Sequence, residues 1–500
     1  MRNLFNRPKL NDHHPPSVQQ EQPTILIGLD LETGEATGIP LSVFSRTHLH
    51  GLGSSGSGKT RLVLHINRQF LACQLPFTQF DVEGPLHDDT MNFLAHHPHL
   101  ADQVVEFNLS SPQGMWCGFN PLARFAWSPR MSVQVEWLLA AFAKVWTEES
   151  KSTPLLRRML RNIFFPLVEA GLTPMEADYF LDLGKSASRR RLGEKTSNRR
   201  VKRDWGYFNN LTPSRQLEQL GSTANRMADF VDSEALQFVM RQANVLDIQD
   251  IVENRKTLLV NLSQQGGWLS QDGAFLVAAL LLTLFVSYAM TRSEESGKAR
   301  PYFLILDEFQ NFITPDIARI LDQCRKRGLY IIFAHQHLAQ IAEQDVWTYH
   351  SVLQNARIKC IFSLDDQQDL ETMEEIIFRG THDLKRIKHQ SFSGQEATTP
   401  AYWDLPELRY QNQTKIAELP RQTMILKLEN QHYQVVKVAM VEDYASDAAK
   451  LQAVREIIWS ANCQYYLAED DVLAEIEARR RELDHNPDTD EAEDYLDRDE

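Results

Sequence analysis

The sequence has few cysteines, and their positions suit neither crosslinks nor metal sites. The five cysteines lie far apart in 500 residues, with no C-x-x-C pair and no nearby histidine at zinc-ligand spacing. This excludes a disulfide scaffold and a structural zinc module, and it predicts reduced thiols in a cytosolic protein. His96, His97 and His99 lie around a proline, and the polarity of a loop explains them better than a metal site does.

Positive charge is also scarce. The chain has 52 Lys and Arg against 67 Asp and Glu, a formal net charge of −15. Such a surface does not coat nucleic acid all over, so any contact with phosphates must be local. The main exception is the run 185–203, with nine Lys or Arg and one Glu. Three interpretations of this run stay open, because few aromatics interleave with its charges: a nucleic-acid channel, a partner-docking surface, or a solvated loop.

The chain lacks internal repeats of solenoid length. Its composition, 43% hydrophobic and 24% charged, excludes a wholly disordered or fibrous protein. A length of 500 residues favours two or three structural units around separate cores.

Short apolar stretches alternate with helical patterns through much of the sequence. Strands are predicted at 47–51, 76–80, 257–262, 302–306, 329–333 and 358–362. This alternation favours an α/β fold with a mostly parallel sheet that is covered by helices on both faces. An earlier pair of short strands is predicted around the turn at 32–34.

We predict six segments along the chain. They are a loose tail (1–23), a small N-terminal β element (24–47), a first part of the core (48–128), an inserted α-helical domain (129–246), a second part of the core (247–443) and a helical, acidic tail (444–500). Eight acids against one Arg from residue 487 onward predict disorder at that end.

A glycine-rich loop supplies the strongest chemical signal. The pattern G-x-x-x-x-G-K-[ST] is met by Gly53, Ser54, Ser55, Gly56, Ser57, Gly58, Lys59 and Thr60, between a predicted strand and a predicted helix. Glycines let successive N–H groups turn toward a phosphate, and the helix N-terminus adds partial positive charge. We therefore predict a nucleoside triphosphate site, in which Lys59 contacts the β- and γ-phosphates and Thr60 holds Mg²⁺.

Two acids end a later apolar strand. Asp307 and Glu308 follow the stretch 302–306, at the edge where open α/β sheets bind ligands. Asp307 suits the Mg²⁺ shell, and Glu308 suits the orientation and deprotonation of an attacking water. Together with the glycine-rich loop they predict ATP hydrolysis.

One apolar run, 274–290, is at about 17 residues near the lower limit for crossing a bilayer. It follows a plausible helix start and leads almost directly into the strand that carries the acidic pair. A membrane span there would separate the two halves of one nucleotide site. We therefore interpret the run as a buried helix and predict a cytoplasmic protein with no membrane span of its own.

The chain resembles the HerA/FtsK superfamily of ring-forming DNA translocases, especially its HerA-like and conjugative coupling-protein branches. The resemblance covers roughly residues 24–440. It is carried by the segments LHGLGSSGSGKT (49–60), FDVEG (80–84), GFNPL (118–122), STANR (222–226), LLVNL (258–262), DEFQNF (307–312), ILDQCRKRG (320–328) and AHQ (334–336). It implies a RecA-like core that binds ATP and Mg²⁺, assembles as a ring, usually a hexamer, and acts on DNA.

The resemblance also implies roles for single residues. Gln336 matches the strand-end polar residue that senses the γ-phosphate. Arg325 matches the arginine that each subunit offers to its neighbour's nucleotide, with Arg327 as the local competitor. Asp81 matches an acid that ends the second strand near the metal; the alternative is that it only caps the strand. Arg46 is a weaker candidate for a second interface cation.

Three functions fit these features. The first is an ATP-driven, ring-forming DNA translocase that acts on duplex or single-stranded DNA. The second is the same motor working as a secretion-coupling pump with a membrane partner. The third is a regulatory ATPase scaffold in a complex with a nuclease or another effector.

Overall fold

The computed structural model describes residues 23–110, 114–145, 154–294, 299–379, 387–389, 392–393, 396–397, 401–429 and 431–484. Residues 1–22 of the predicted loose tail (1–23) and the end predicted as disordered, from residue 487 onward, lie outside the described residues.

Seventeen strands are described. They are β1 (Thr24–Asp30), β2 (Ala36–Pro40), β3 (Leu49–Leu52), β4 (Phe77–Asp81), β5 (Val104–Asn108), β6 (Met115–Cys117), β7 (Thr257–Asn261), β8 (Tyr302–Leu306), β9 (Leu329–His335), β10 (Ile358–Ile361), β11 (Ile387–His389), β12 (Phe392–Ser393), β13 (Glu396–Ala397), β14 (Ala401–Tyr402), β15 (Thr423–Leu428), β16 (Gln434–Val438) and β17 (Tyr466–Ala468).

The described α-helices number nineteen. They are α1 (Leu41–Phe44), α2 (Lys59–Ala72), α3 (Pro85–His96), α4 (Met131–Val145), α5 (Pro154–Glu169), α6 (Asp178–Leu181), α7 (Ser186–Lys195), α8 (Arg199–Asn209), α9 (Pro213–Val231), α10 (Glu234–Met240), α11 (Ile248–Glu253), α12 (Gln271–Thr291), α13 (Pro315–Asp322), α14 (Leu338–Gln344), α15 (Val346–Asn355), α16 (Gln367–Ile377), α17 (Leu405–Ala417), α18 (Ala448–Ala461) and α19 (Glu469–Asp484).

Eleven strands form one central sheet in the order β2-β1-β16-β15-β10-β3-β9-β8-β4-β7-β5. The seven strands from β10 to β5 are mutually parallel. The four strands from β15 to β2 continue the sheet in antiparallel pairs. The predicted α/β fold with a mostly parallel sheet is confirmed, and the N-terminal β element is an extension of that sheet.

The parallel strands are buried on both faces because helices cover both sides. Every residue of β7, β8 and β9 is buried, and their sequences are almost wholly apolar. Only the residues that follow each strand reach the sheet edge. The carboxyl ends of β3, β8 and β9 therefore bring the predicted site residues to one place.

The apolar run 274–290 lies within α12. By length and composition this helix could cross a membrane, but 89% of its most apolar stretch is buried within the protein. It packs against α4, α11 and α13. The run is thus a core helix, as the sequence predicts.

Helices α4 to α11, the helical block, lie between β6 and β7. The predicted inserted α-helical domain (129–246) falls in this stretch, and all six predicted segments stay predictions. Beyond residue 444 the chain packs on the body of the protein: α18 contacts α3, and β17 pairs with β6. Near the end of α19, Arg479 lies 3.7 Å from Glu176 of the helical block.

Candidate functional site

The glycine-rich loop connects the carboxyl end of β3 to α2. Its backbone is held on both sides: Ser54 N donates to Ser363 O at 2.9 Å, and Gln422 N donates to Ser57 O at 2.8 Å. Gly53 N also donates to the carbonyl oxygen of His335, the last residue of β9, at 3.3 Å. The loop is thus fixed between the parallel and antiparallel parts of the sheet.

Two glycines are required by the space and the backbone. A Cβ on Gly53 would lie 2.5 Å from Phe362 Cβ and 2.8 Å from Ser57 Oγ. Gly58 has φ 120°, a conformation that side chains disfavour, and its Cβ would lie 3.1 Å from Gln422 Cα. Both positions therefore exclude larger residues, as the phosphate-binding pattern demands.

Lys59 lies inside the loop rather than in solvent. Its Nζ donates to Gly53 O at 2.7 Å and to Ser54 O at 3.1 Å. Burial lowers the pKa of Lys59, while the carboxylates of Glu308 and Asp307 act in the opposite direction. Ser57 Oγ is also buried and has no partner within the described part of the chain. A lysine held by carbonyls and an unpaired hydroxyl are both suited to an incoming anion.

Thr60 and Asp307 meet across the site, although 247 positions separate them in the sequence. Thr60 Oγ1 donates to Asp307 Oδ2 at 2.8 Å. Burial raises the pKa of the Asp307 carboxyl to about 6, and Glu308 and Asp81 add to the rise against the Thr60 hydrogen bond. Two hard oxygen donors lie side by side in surroundings that disfavour a bare negative charge, which suits a divalent cation.

Glu308 adopts a left-handed backbone conformation, with φ 52° and ψ 55°. This conformation is uncommon for a residue with a side chain, and it turns Glu308 away from the path of β8. Two amides hold its carboxylate: Gln310 Nε2 donates to Oε2 at 2.6 Å, and Gln336 Nε2 lies 3.3 Å from both oxygens. Gln336 follows β9 directly, so the ends of β8 and β9 are joined here.

Asp81 acts as a cap at the end of β4. Its Oδ1 accepts from Glu83 N and Gly84 N at 2.9 and 2.8 Å, and its Oδ2 accepts from His87 N at 2.7 Å. The carboxylate is thus occupied by backbone donors at the start of α3. Of the two interpretations of Asp81, the contacts favour the cap, while its charge still acts on Asp307.

Arg325 lies at the opposite edge of the sheet. It precedes β9, whereas Gln336 follows it, so about 20 Å of strand separates the two in one chain. Arg325 is half-buried, and its side chain makes no hydrogen bond or ion pair with another described residue; its electrostatic neighbours are His48 and Tyr330. Arg46, exposed and just before β3, lies at the same edge.

Arg327, the competitor of Arg325, is fastened within its own chain. Its Nη1 donates to Met290 O at 2.9 Å and to Arg292 O, and its Nη2 pairs with Glu294. A guanidinium held in this way anchors the end of α12. Within the described part of the chain, the Arg327 side chain is therefore paired and the Arg325 side chain is not.

A buried polar chain beneath the loop was not predicted. Lys359 Nζ lies 3.2 Å from His50 Nδ1, and His50 Nε2 lies 2.7 Å from His335 Nε2. Burial lowers the pKa of Lys359 to about 7 and that of His335 to about 3. The contacts tie β10, β3 and β9 together directly below the site.

Other residues of the site were also missed. Gln310 fixes Glu308, Gln422 supports the loop, and Glu83 lies close enough to Lys59 to affect its pKa. Gln310 lies in the segment DEFQNF and Glu83 in the segment FDVEG. Both segments carry the family resemblance, but the sequence assigned no role to either residue. Gln422 follows no local pattern, because its position depends on the antiparallel part of the sheet.

The predicted residues thus fall into two groups. Lys59, Thr60, Asp307, Glu308 and Gln336 converge at the carboxyl edge with the loop 53–58, and Arg325 lies apart. Ser55 and Gly56 form the exposed tip of the loop.

The fold was compared with solved structures. The bacterial conjugative coupling protein TrwB, in the unbound form called TrwBdeltaN70, matches with a TM-score of 0.59 and 16% identity over 83% of this chain and 90% of that one. The chain has the coupling-protein fold. TrwB in complex with the ATP analogue ADPNP matches with a TM-score of 0.57 and 17% identity, over 82% of this chain and 89% of that one.

VirB4 of Thermoanaerobacter pseudethanolicus has the same fold, with a TM-score of 0.53 and 13% identity over 86% of this chain and 98% of that one. A family model described as the TraM recognition site of TraD and TraG matches residues 301–424. No curated protein matches the sequence. The resemblance to the conjugative coupling-protein branch is therefore confirmed.

Proposed function

We propose that this chain is an ATP-hydrolysing DNA motor of the coupling type. The observation that carries the proposal is the convergence of Lys59, Thr60, Asp307 and Glu308 from two distant parts of the sequence. TrwB, which shares the fold, was solved in complex with ADP and Mg²⁺ and with ADPNP.

The residues present fit ATP and Mg²⁺. The unpaired Ser57 hydroxyl and the N-terminus of α2 suit phosphate oxygens, and Thr60 and Asp307 would hold the cation. When bound, Mg²⁺ neutralises charge on the β- and γ-phosphates during transfer. Its charge would also favour the ionised form of Asp307, against the burial that raises the pKa of this carboxyl.

The side chains divide the work of hydrolysis. Lys59 exchanges its two carbonyl acceptors for β- and γ-phosphate oxygens. Glu308, aimed by Gln310 and Gln336, orients a water and accepts its proton. Gln336 contacts the same carboxylate. A γ-phosphate that binds Gln336 would therefore change the position of Glu308.

The position of Arg325 supports a ring. In its own chain it lies a strand's length from the site, so it can act only on the nucleotide of a neighbouring subunit. There its charge would stabilise the phosphoryl group during transfer. We propose a homo-oligomeric ring, a hexamer as the superfamily resemblance implies, with one ATP at each subunit boundary.

The transported substrate is DNA, and the setting is conjugation or type IV secretion. This rests on the shared fold of TrwB, named a conjugative coupling protein, and on the match to a TraD and TraG family model. The described part of this chain offers only the buried α12 as a span candidate. We therefore propose a cytoplasmic motor that joins a membrane partner.

The test is steady-state ATP hydrolysis with and without DNA, for the wild type and Glu308→Gln. We expect Glu308→Gln to lower turnover by at least about 100-fold while nucleotide binding persists. Glu429→Gln, an exposed acid in a surface ion pair, is the matched control. Equal turnover of Glu308→Gln and wild type would refute the proposal.

A further inference from the structure

The basic run 185–203 divides into two parts with different surroundings. In its first half, Lys185 pairs with Asp178 at 2.6 Å, and Arg189 is buried, donating to Asp182 O at 3.0 Å. Arg191 Nη2 donates to Leu483 O at 2.5 Å. These cations hold the helical block together and bind it to α19.

The second half of the run faces solvent. Arg199, Arg200, Lys202 and Arg203 are exposed on α8. Among the described residues, Arg203 of this group lies 3.8 Å from Asp204, and the side chains of Arg200 and Lys202 make no hydrogen bond or ion pair. The positive charge of α8 is thus not used by the fold.

Helix α5 adds three more arginines to this surface. Arg157 and Arg161 share Glu136, whereas the Arg158 side chain is exposed and makes no hydrogen bond or ion pair within the described ranges. Arg158 and Arg200 line one cleft of about 420 Å³, and none of the described side chains around it is acidic. In a chain of net charge −15, this is a strong local positive charge.

A second cleft adjoins the first and contains an aromatic ring. It has a volume of about 240 Å³, shares Arg158 with the first cleft, and includes Tyr207 of α8. The side chain of Tyr207 is 64% exposed, although Trp205 and Phe208 beside it are buried. The cleft also contains Arg203 with its neighbour Asp204, so the guanidinium without a partner beside the ring is that of Arg158. An exposed ring next to such a guanidinium is the combination that binds a single strand, through base stacking and phosphate contacts.

We infer that the α5–α8 surface binds single-stranded DNA, outside the nucleotide site and on the inserted helical block. Arg158 and Arg200 contact phosphates, and Tyr207 stacks on a base. This rests on the proposed function, because it assigns a second contact for the same DNA substrate. It also assigns a role to the second half of the basic run.

The experiment is equilibrium binding of a fluorescent single-stranded oligonucleotide and a duplex of the same length to the full chain, without nucleotide, at several salt concentrations. The variants are Arg158→Ala with Arg200→Ala, and Tyr207→Ala. The matched control is Arg190→Ala, an exposed arginine of the same run on α7. All are exposed positions, and circular dichroism checks their folding.

We expect the double arginine variant to lose on the order of tenfold or more in single-strand affinity. Its salt dependence should fall by roughly 0.7 in the logarithmic slope for each phosphate contact removed. Tyr207→Ala should weaken single-strand binding by about tenfold and duplex binding much less. Arg190→Ala should bind as the wild type does.

Three results would overturn the inference. They are unchanged binding by the double variant, an equal loss in Arg190→Ala, and an equal effect of Tyr207→Ala on both DNA forms. Loss of oligomer in the double variant, measured by light scattering, would assign the surface to a second copy instead. ATP turnover without DNA is measured in the same samples, so an inactive wild type would refute the proposed function separately.

Discussion

The two edges of the parallel sheet differ in how completely their polar groups are satisfied. At the carboxyl edge, Lys59, Thr60, Asp307, Glu308 and Gln336 contact one another or the loop backbone. At the amino edge, the Arg325 side chain has no hydrogen-bonding partner within the described part of the chain. The polar side chains of the carboxyl edge are hydrogen-bonded to one another or to the loop, whereas the guanidinium of Arg325 at the amino edge is not.

In the proposed ring, a single chain would hold most, but not all, of a hydrolytic site. A half-buried guanidinium without a partner costs free energy, so a fold that keeps one has a use for it elsewhere. The acids at the other edge form a matching excess of negative charge. In that ring, the two edges would complement each other between different copies of the chain.

The strongest test of this comparison is the removal of Arg325. We expect Arg325→Ala to lower turnover by about 10³-fold or more while the chain still binds ATP. Lys59→Ala should also be inactive, because it removes the loop lysine that contacts the phosphates while Arg325 stays intact. Mixing the two inactive variants should restore part of the activity, because some boundaries then combine an intact loop with an intact arginine.

The control for this test is Arg327→Ala, which removes contacts to the end of α12 and should lower stability more than turnover. A mixture as inactive as its components would contradict the division of the site between subunits.

A smaller effect, on the free energy of unfolding, is expected from Asp307. Because burial raises the pKa of Asp307 to about 6 from its ordinary value of 3.8, the folded chain binds more protons than the unfolded chain between these values. Stability therefore falls as the pH rises through this range. Without Mg²⁺, Asp307→Asn should raise the free energy of unfolding at pH 8 by on the order of 1–3 kcal/mol.

This gain should vanish below pH 4, as measured by urea unfolding. Asp443→Asn, at an exposed ion pair with Arg61, serves as the comparison. A stability gain of equal size at both pH values would show that the Asp307 charge is not the cause.

The smallest effect is expected at Arg46. It is exposed at the amino edge, so its charge is screened by solvent. We expect Arg46→Ala to lower turnover by about fivefold or less. A loss as large as that of Arg325→Ala would mean that two arginines, not one, serve the neighbouring site.

The sequence was sufficient where local patterns decide the structure. The buried strands β7 and β8, the loop 53–60 and the core helix α12 follow from apolar runs and glycine spacing. The antiparallel half of the sheet was harder to predict, because the pairing of β15 and β16 depends on distant strands.

The site shows the same limit. Patterns predicted Asp307 and Glu308, but not the left-handed turn at Glu308 or its support by Gln310. Nor did composition distinguish the two halves of the basic run, since Arg189 and Arg200 differ only in what the tertiary structure places beside them.

The strand order has a consequence for synthesis. Asp30 of β1 pairs with Val436 of β16. One of the first strands to be synthesised therefore cannot pair until one of the last has been made. At about 5–20 residues per second, this is a delay of roughly 20–80 s on the ribosome. During that time the β1–β2 hairpin has an open edge, and β3 likewise waits for both of its neighbours. We therefore expect a nascent chain that relies on chaperones until its release.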